Sequence, residues 1–190
     1  MSAITRAGAL TLAGVTAGGI VLGEFADVAG SRPSAKQDAE ILNFALLLEY
    51  VQSAFYAEAL RRARLQGELA TFARTAGAHE VAHKAFLVKA LGGAARKSPK
   101  LDFGDDTADA EKFSLSAFKL EDLGVAGYNA QAPNLTKPAL AAAAKIVSVE
   151  ARHSAWIRDL RGISPAPDAS EPSIPAARVQ ATLRGSGYVR

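Results

Sequence analysis

Cysteine is absent from the chain. That excludes disulfides, thiolate zinc sites and Cys-ligated iron–sulfur clusters. Aromatic residues are scarce, at 7% of the sequence, while alanine is abundant. Such a composition favours helices over sheets. A strong excess of charge is also missing. The net charge of +3 is too mild to name a partner, and nucleic acid is not expected. Removing residues 1–35 leaves it unchanged, because Arg6 and Arg32 cancel Glu24 and Asp27. What remains is a 190-residue chain, long enough for one domain with a real core, plus extensions.

The one long charge-free stretch is residues 7–23, behind Arg6. It has the shape of a signal-peptide core. It is short and glycine-rich, so a stable membrane span is not expected. Its weak hydrophobicity resembles twin-arginine signals, although Thr5-Arg6-Ala7 holds a single Arg. Val28-Ala29-Gly30 offers small residues for cleavage, and Ser31-Arg32-Pro33-Ser34 reads as a linker. Residues 1–35 are therefore expected to be a signal-like segment and linker, with export to the periplasm or cell envelope. The alternative is a loose N-terminal helix on a cytoplasmic protein.

Helical periodicity begins after this segment. The first helix is expected from about Asp38, its N-cap, to Gln66, with Leu42, Ala45, Leu46, Glu49, Ser53 and Tyr56 on one stripe. Arg61, Arg62 and Arg64 read as its cationic last turn, rather than a nucleic-acid site, because no aromatics interleave with them. Gly67 marks a turn. The second helix, about Glu68–Leu91, carries Phe72, Ala76, Glu80, His83 and Leu87 on one face and stops at Gly92-Gly93. His79 points about 100° away from Glu80 and reads as a surface or packing residue. Residues 92–113 have the length of a crossover between bundle ends; their acids do not match calcium-loop spacing. The third helix is expected over about Ser114–Gln131, with Glu121 and Tyr128 inward, and Pro133 stops it. Thr136 then caps a fourth, with Pro138 in its first turn, running to about Arg161. Residues 163–190 form a Pro-rich tail with one short helix at Ala176–Arg184.

Two stretches repeat: Glu80-Val81-Ala82-His83 and Glu150-Ala151-Arg152-His153. Residues three apart share a helix face, so each step points a carboxylate and an imidazole the same way. A lone Glu precedes each, Glu49 by 31 positions and Glu121 by 29, and each lone Glu has a Tyr seven residues later. A single Glu-x-x-His is usually an ordinary surface pair. Two on apolar faces, each with its own Glu donor helix, point instead to a two-metal site of Glu49, Glu80, His83, Glu121, Glu150 and His153. Four buried carboxylates would repel strongly, and two divalent cations would cancel them. Without metal, all four are expected to have raised pKa values. A mostly oxygen donor set suits iron or manganese better than zinc. Tyr56 and Tyr128 lie too far from their own Glu to be ligands and read as core aromatics.

These residues carry a resemblance. The order Glu, Glu-x-x-His, Glu, Glu-x-x-His resembles the ferritin-like superfamily over residues 36–162. The stretches are Ile41–Tyr50, His79–His83, Leu120–Tyr128 and Val149–His153. More narrowly, the chain looks like bacterial ferritin-like proteins related to desiccation-associated proteins. The resemblance implies an all-α four-helix bundle, two antiparallel hairpins joined by a long crossover. It implies two metal ions, iron first and manganese second, with Glu80 and Glu150 bridging, Glu49 and Glu121 terminal, and one His on each metal. The function it implies is oxidation of Fe(II) with oxygen or peroxide, in iron handling or oxidative-stress protection. The alternatives are manganese-type peroxide dismutation, or a non-enzymatic envelope stress or desiccation protein with a structural site. No catalytic side chain is assigned, and a homo-oligomer is compatible with the pattern.

Overall fold

A computed structural model describes residues 32–190. The signal-like reading of residues 1–35 falls almost wholly outside the described residues. The helices are α1 (Ala35–Arg62), α2 (Gly67–Leu91), α3 (Ala110–Gln131), α4 (Lys137–Leu160) and α5 (Ala176–Gly185). Single 3₁₀ turns follow α2 and α3. Among the described residues, no helix is long and apolar enough to cross a membrane.

The first four helices form an all-α bundle of two hairpins. The connection between them runs its full length. Phe103 of that segment packs edge-on against Phe55, near the end of α1, with ring centroids 5.5 Å apart. Nearby, Arg62 donates to the Gly104 carbonyl at 2.9 Å and to Thr107 Oγ1 at 2.8 Å. α3 therefore runs opposite to α1, and α4 returns parallel to it. The arginine at the end of α1 holds the crossover in place.

Caps explain where the helix starts differ from the sequence pattern. α1 begins before Asp38, because Ser34 accepts from the Gln37 amide and is its N-cap. Asp38 reaches across instead to the start of α4. It accepts from Thr136 N at 2.9 Å and from Thr136 Oγ1 at 2.5 Å. A carboxylate at a helix N-terminus stabilises it by about 0.3–1 kcal/mol. α3 begins four residues before Ser114, because Asp109 accepts from the Lys112 amide at 2.9 Å. α1 ends at Arg62, before Gln66, where Arg64 turns left-handed at φ 48°.

One end of the core is aromatic. Phe55 stacks on Phe113 at 5.5 Å, and Tyr56 and Phe72 meet edge-on at 5.8 Å. The tail closes this end: Tyr188 packs on Phe103, and Leu101 bridges to Val189. Val179 and Leu183 of α5 are buried. α1 and α2 approach closely at Gly77, where a Cβ would sit 2.9 Å from Tyr56 Cβ. Above this aromatic floor, the interior turns polar.

Candidate metal centre

The bundle brings all six predicted residues together. α1 supplies Glu49, α2 Glu80 and His83, α3 Glu121, and α4 Glu150 and His153. The four carboxylates have no solvent exposure, and His153 has 3%. They form two overlapping sets, Glu49, Glu80, His83, Glu150 and Glu80, Glu121, Glu150, His153. Within each set one donor atom per residue lies within 4.8 Å of the others. Opposite ligands on one first-row ion span slightly less, about 4.3 Å.

The atoms sort into two halves. His83 Nδ1 faces Glu150 Oε1 at 2.8 Å, Glu80 Oε2 at 3.4 Å and Glu49 Oε2 at 3.6 Å. His153 Nδ1 faces Glu80 Oε1 at 3.0 Å, Glu121 Oε2 at 3.5 Å and Glu150 Oε2 at 3.9 Å. Glu80 and Glu150 thus offer one oxygen to each half, whereas Glu49 and Glu121 offer one oxygen to one half. Seven of these eight donor atoms are buried without a satisfactory hydrogen-bond partner, and among the described residues the only other such atom is Gln52 Oε1. Buried polar atoms are ordinarily paired. Their concentration at one point marks a cluster that could bind metal.

The two tyrosines belong to this cluster, contrary to their reading as plain core aromatics. Tyr128 Oη donates to Glu49 Oε1 at 2.6 Å, and Tyr56 Oη donates to Glu121 Oε1. Each tyrosine lies far from its own helix's Glu but level with the other's, because α1 and α3 are antiparallel. Burial, then the nearby carboxylates, raise both phenols well above their ordinary pKa, so both remain donors. Glu49 and Glu121 therefore each have one oxygen held by a phenol and the other turned inward.

Without metal, the centre stores protons. Burial lifts Glu49 well above the usual carboxylate range, with repulsion from Glu150 and Glu80 adding to it. Burial also raises Glu121 and carries Glu150 up to about 8. Glu80 departs from the expectation that all four would rise. Burial pushes it up too, but the positive His153 and His83 rings facing it outweigh that and bring it down to about 2. Burial alone would lower the histidines. Their carboxylate partners lift His83 to about 12 and His153 to about 10.

Two further residues were not predicted. His79 Nδ1 lies 2.9 Å from His153 Nε2. Its offset from Glu80 turns it toward α4, a direction that the sequence of α2 alone does not reveal. Gln52 is 1% exposed, and its Nε2 lies 3.5 Å from Glu150 Oε2. The equivalent place on α3 is Gly124, where a Cβ would sit 3.5 Å from that amide, so a longer side chain would displace it. Spacing gave a signal here, since Gln52 follows Glu49 by three positions and shares its face.

The comparison with known families agrees with this geometry. A family model for the ferritin-like domain matches residues 37–162. No curated protein matches the chain at a significant level. The matched stretch takes in nearly all of α1 and the whole of α2, α3 and α4, with both Glu-x-x-His steps, and the chain belongs to the ferritin-like domain family.

Proposed function

We propose that this protein binds two first-row divalent cations, iron foremost, and oxidises Fe(II) with oxygen or peroxide. The observation that carries this reading is the set of unpartnered inward atoms: seven donor atoms on four carboxylates and two histidines, all buried. Protons satisfy such a set only partly. Two dications would balance four carboxylates and leave both histidines neutral, as metal ligands must be. Oxygen-rich donors with one imidazole per ion suit iron or manganese.

In this reading Glu49, Glu80, His83 and Glu150 would hold one ion, and Glu80, Glu121, Glu150 and His153 would hold the other. When bound, the pair of ions would supply two electrons, enough to reduce oxygen to the peroxide level or peroxide to water. The chain does the rest. Tyr56 and Tyr128 hold Glu121 and Glu49 so that one oxygen of each faces inward. The aromatic floor excludes water from below. Binding there would release the protons that Glu49, Glu121, Glu150 and the two histidines hold. Export to the periplasm or cell envelope belongs to the same proposal and rests on residues 7–23 behind Arg6.

The test is anaerobic reconstitution with Fe(II), then addition of oxygen or peroxide. The expected result is up to two irons per chain and oxidant consumption that scales with bound iron. No retained iron, or zinc that iron cannot displace, overturns the proposal. Manganese retained in preference to iron would redirect it to peroxide dismutation.

A further inference from the structure

The chain has three histidines, and all three gather at one place. Two lie in the Glu-x-x-His steps. The third, His79, is on the solvent-exposed side of α2. Its ring and that of His153 are 15° from parallel with centroids 5.1 Å apart. With 2.9 Å between His79 Nδ1 and His153 Nε2, the rings meet edge to edge through one hydrogen bond.

The direction of that bond follows from chemistry. His153 turns Nδ1 inward, toward Glu80 at 3.0 Å and Glu121 at 3.5 Å. When His153 is charged, both of its nitrogens carry protons. When Nδ1 holds a metal ion, the one ring proton sits on Nε2. His153 Nε2 is the donor in both states, and His79 Nδ1 is the acceptor.

His83 has no such support. It also turns Nδ1 inward, 2.8 Å from Glu150 Oε1. Among the described residues nothing hydrogen-bonds its Nε2. In the repeat, the position before Glu80 is His79 and the position before Glu150 is Val149, which has no lone pair to offer. A partner on the outer nitrogen of a ligand histidine fixes its tautomer and ring orientation and makes it more basic. Removing such a partner typically costs 10–100-fold in metal affinity.

We propose that His79 is a positioning residue for His153, so the two metal positions are unequal and the His153 half takes its ion first. This rests on the two-metal reading above and adds an order of filling to it.

Co(II) is a suitable probe, because it stands close to Fe(II) in its preference for nitrogen and oxygen ligands, and its visible absorption reports coordination. Metal-free wild-type protein titrated with Co(II) should fill in two steps, separated roughly 10-fold or more in affinity. His79→Ala should weaken the tighter step by roughly 10–100-fold and leave the other step in place. His79→Asn, whose side-chain oxygen can stand where Nδ1 stood, should restore much of the loss. His79→Asn keeps an acceptor for His153 Nε2, so its metal-free form should melt like wild type, whereas metal-free His79→Ala leaves that buried donor without its partner and should melt lower. Glu49→Gln leaves the His153 half intact, and there the effect of His79→Ala should persist. Glu121→Gln removes a donor from that half, and there the effect should vanish. Two equal steps in wild type, or a His79→Ala change that touches neither step or both alike, overturns the inference while the two-metal reading stands. Absence of any Co(II) binding by wild type overturns the two-metal reading itself.

Discussion

The α1–α2 hairpin and the α3–α4 hairpin bring the same equipment to the centre. Each supplies a lone Glu, a Tyr seven residues further on, and a Glu-x-x-His step. The antiparallel register of α1 and α3 exchanges the tyrosines, so Tyr56 serves Glu121 and Tyr128 serves Glu49. Yet the halves are not copies. α1 places Gln52 where α3 has Gly124, and α2 places His79 where α4 has Val149. Glu80 and Glu150, the two that face both halves, differ in charge too. Glu80 is drawn down to about 2, and Glu150 is pushed up to about 8. Ligand number is repeated, whereas the surroundings that tune each ligand are not.

The largest effect should separate Glu80 and Glu150, which face both halves, from Glu49 and Glu121, which face one. Glu80→Gln or Glu150→Gln takes an oxygen from both halves, and either change should abolish tight binding of both ions. Glu49→Gln or Glu121→Gln should remove one ion and leave the other. Metal content after anaerobic reconstitution and desalting measures this. A Glu80→Gln variant that keeps two tightly bound ions breaks the comparison.

Glu80 and Glu150 should then separate in metal-free stability at pH 7. Glu80 is the ionised partner of two charged histidines, so its Gln variant leaves buried charge unpaired, at about 3 kcal/mol. Glu150 is largely protonated at that pH, and Gln resembles the protonated acid, so its variant should fall within about 1 kcal/mol of wild type. Urea denaturation of both variants decides it. Equal losses would mean that the two carboxylates share one charge state.

Acidity sharpens the same contrast. Glu49, Glu121 and Glu150 have folded pKa values above the unfolded value of about 4.3. Their stabilisation is full below that value and is lost as pH rises through the folded values. His83 and His153 are raised above about 6.5, so their contribution is full below that pH and fades toward about 12 and about 10. Glu80 is lowered, so its contribution is lost only on acidification from about 4.3 toward about 2. Between pH 5 and 9 the raised groups act with one sign. His79, lowered by burial and by the neighbouring His153, opposes them. The five raised groups outweigh it, and the metal-free protein should lose stability as pH rises. Metal competes with those protons, so the melting gap between loaded and metal-free protein should widen across this range. A constant gap in calorimetric scans would contradict the proton-storing centre.

The smallest effect tests the symmetry that remains. Tyr56→Phe and Tyr128→Phe each leave one buried carboxylate oxygen without its donor, at about 1–3 kcal/mol. Because the two contacts are equivalent, the losses should agree within about 1 kcal/mol in denaturant melts.

Much of this molecule was legible in its sequence. Helical periodicity and the Glu-x-x-His spacing are local properties of a 3.6-residue repeat, so the helices and the inward faces carrying all six polar residues could be read directly. Helix ends were less legible. Asp38 and Ser34 are both good caps in isolation, and only the arrival of Thr136 shows which one is free to cap α1. The equal spacing from each lone Glu to its Tyr was visible, but its meaning required the antiparallel placement of the two helices that carry them.

Sequence alone determined which residues share a helix face, and therefore which donors could converge. Tertiary structure decided which atoms meet. It paired His79 with His153, each tyrosine with the opposite glutamate, and Gln52 with the space above Gly124. It also split Glu80 from Glu150 in acidity, because two histidines converge on Glu80 while burial and the neighbouring Glu80 charge dominate at Glu150. The physical reason is range. Side-chain direction along a helix is fixed within one turn, whereas hydrogen bonds and pKa shifts depend on groups dozens of residues away.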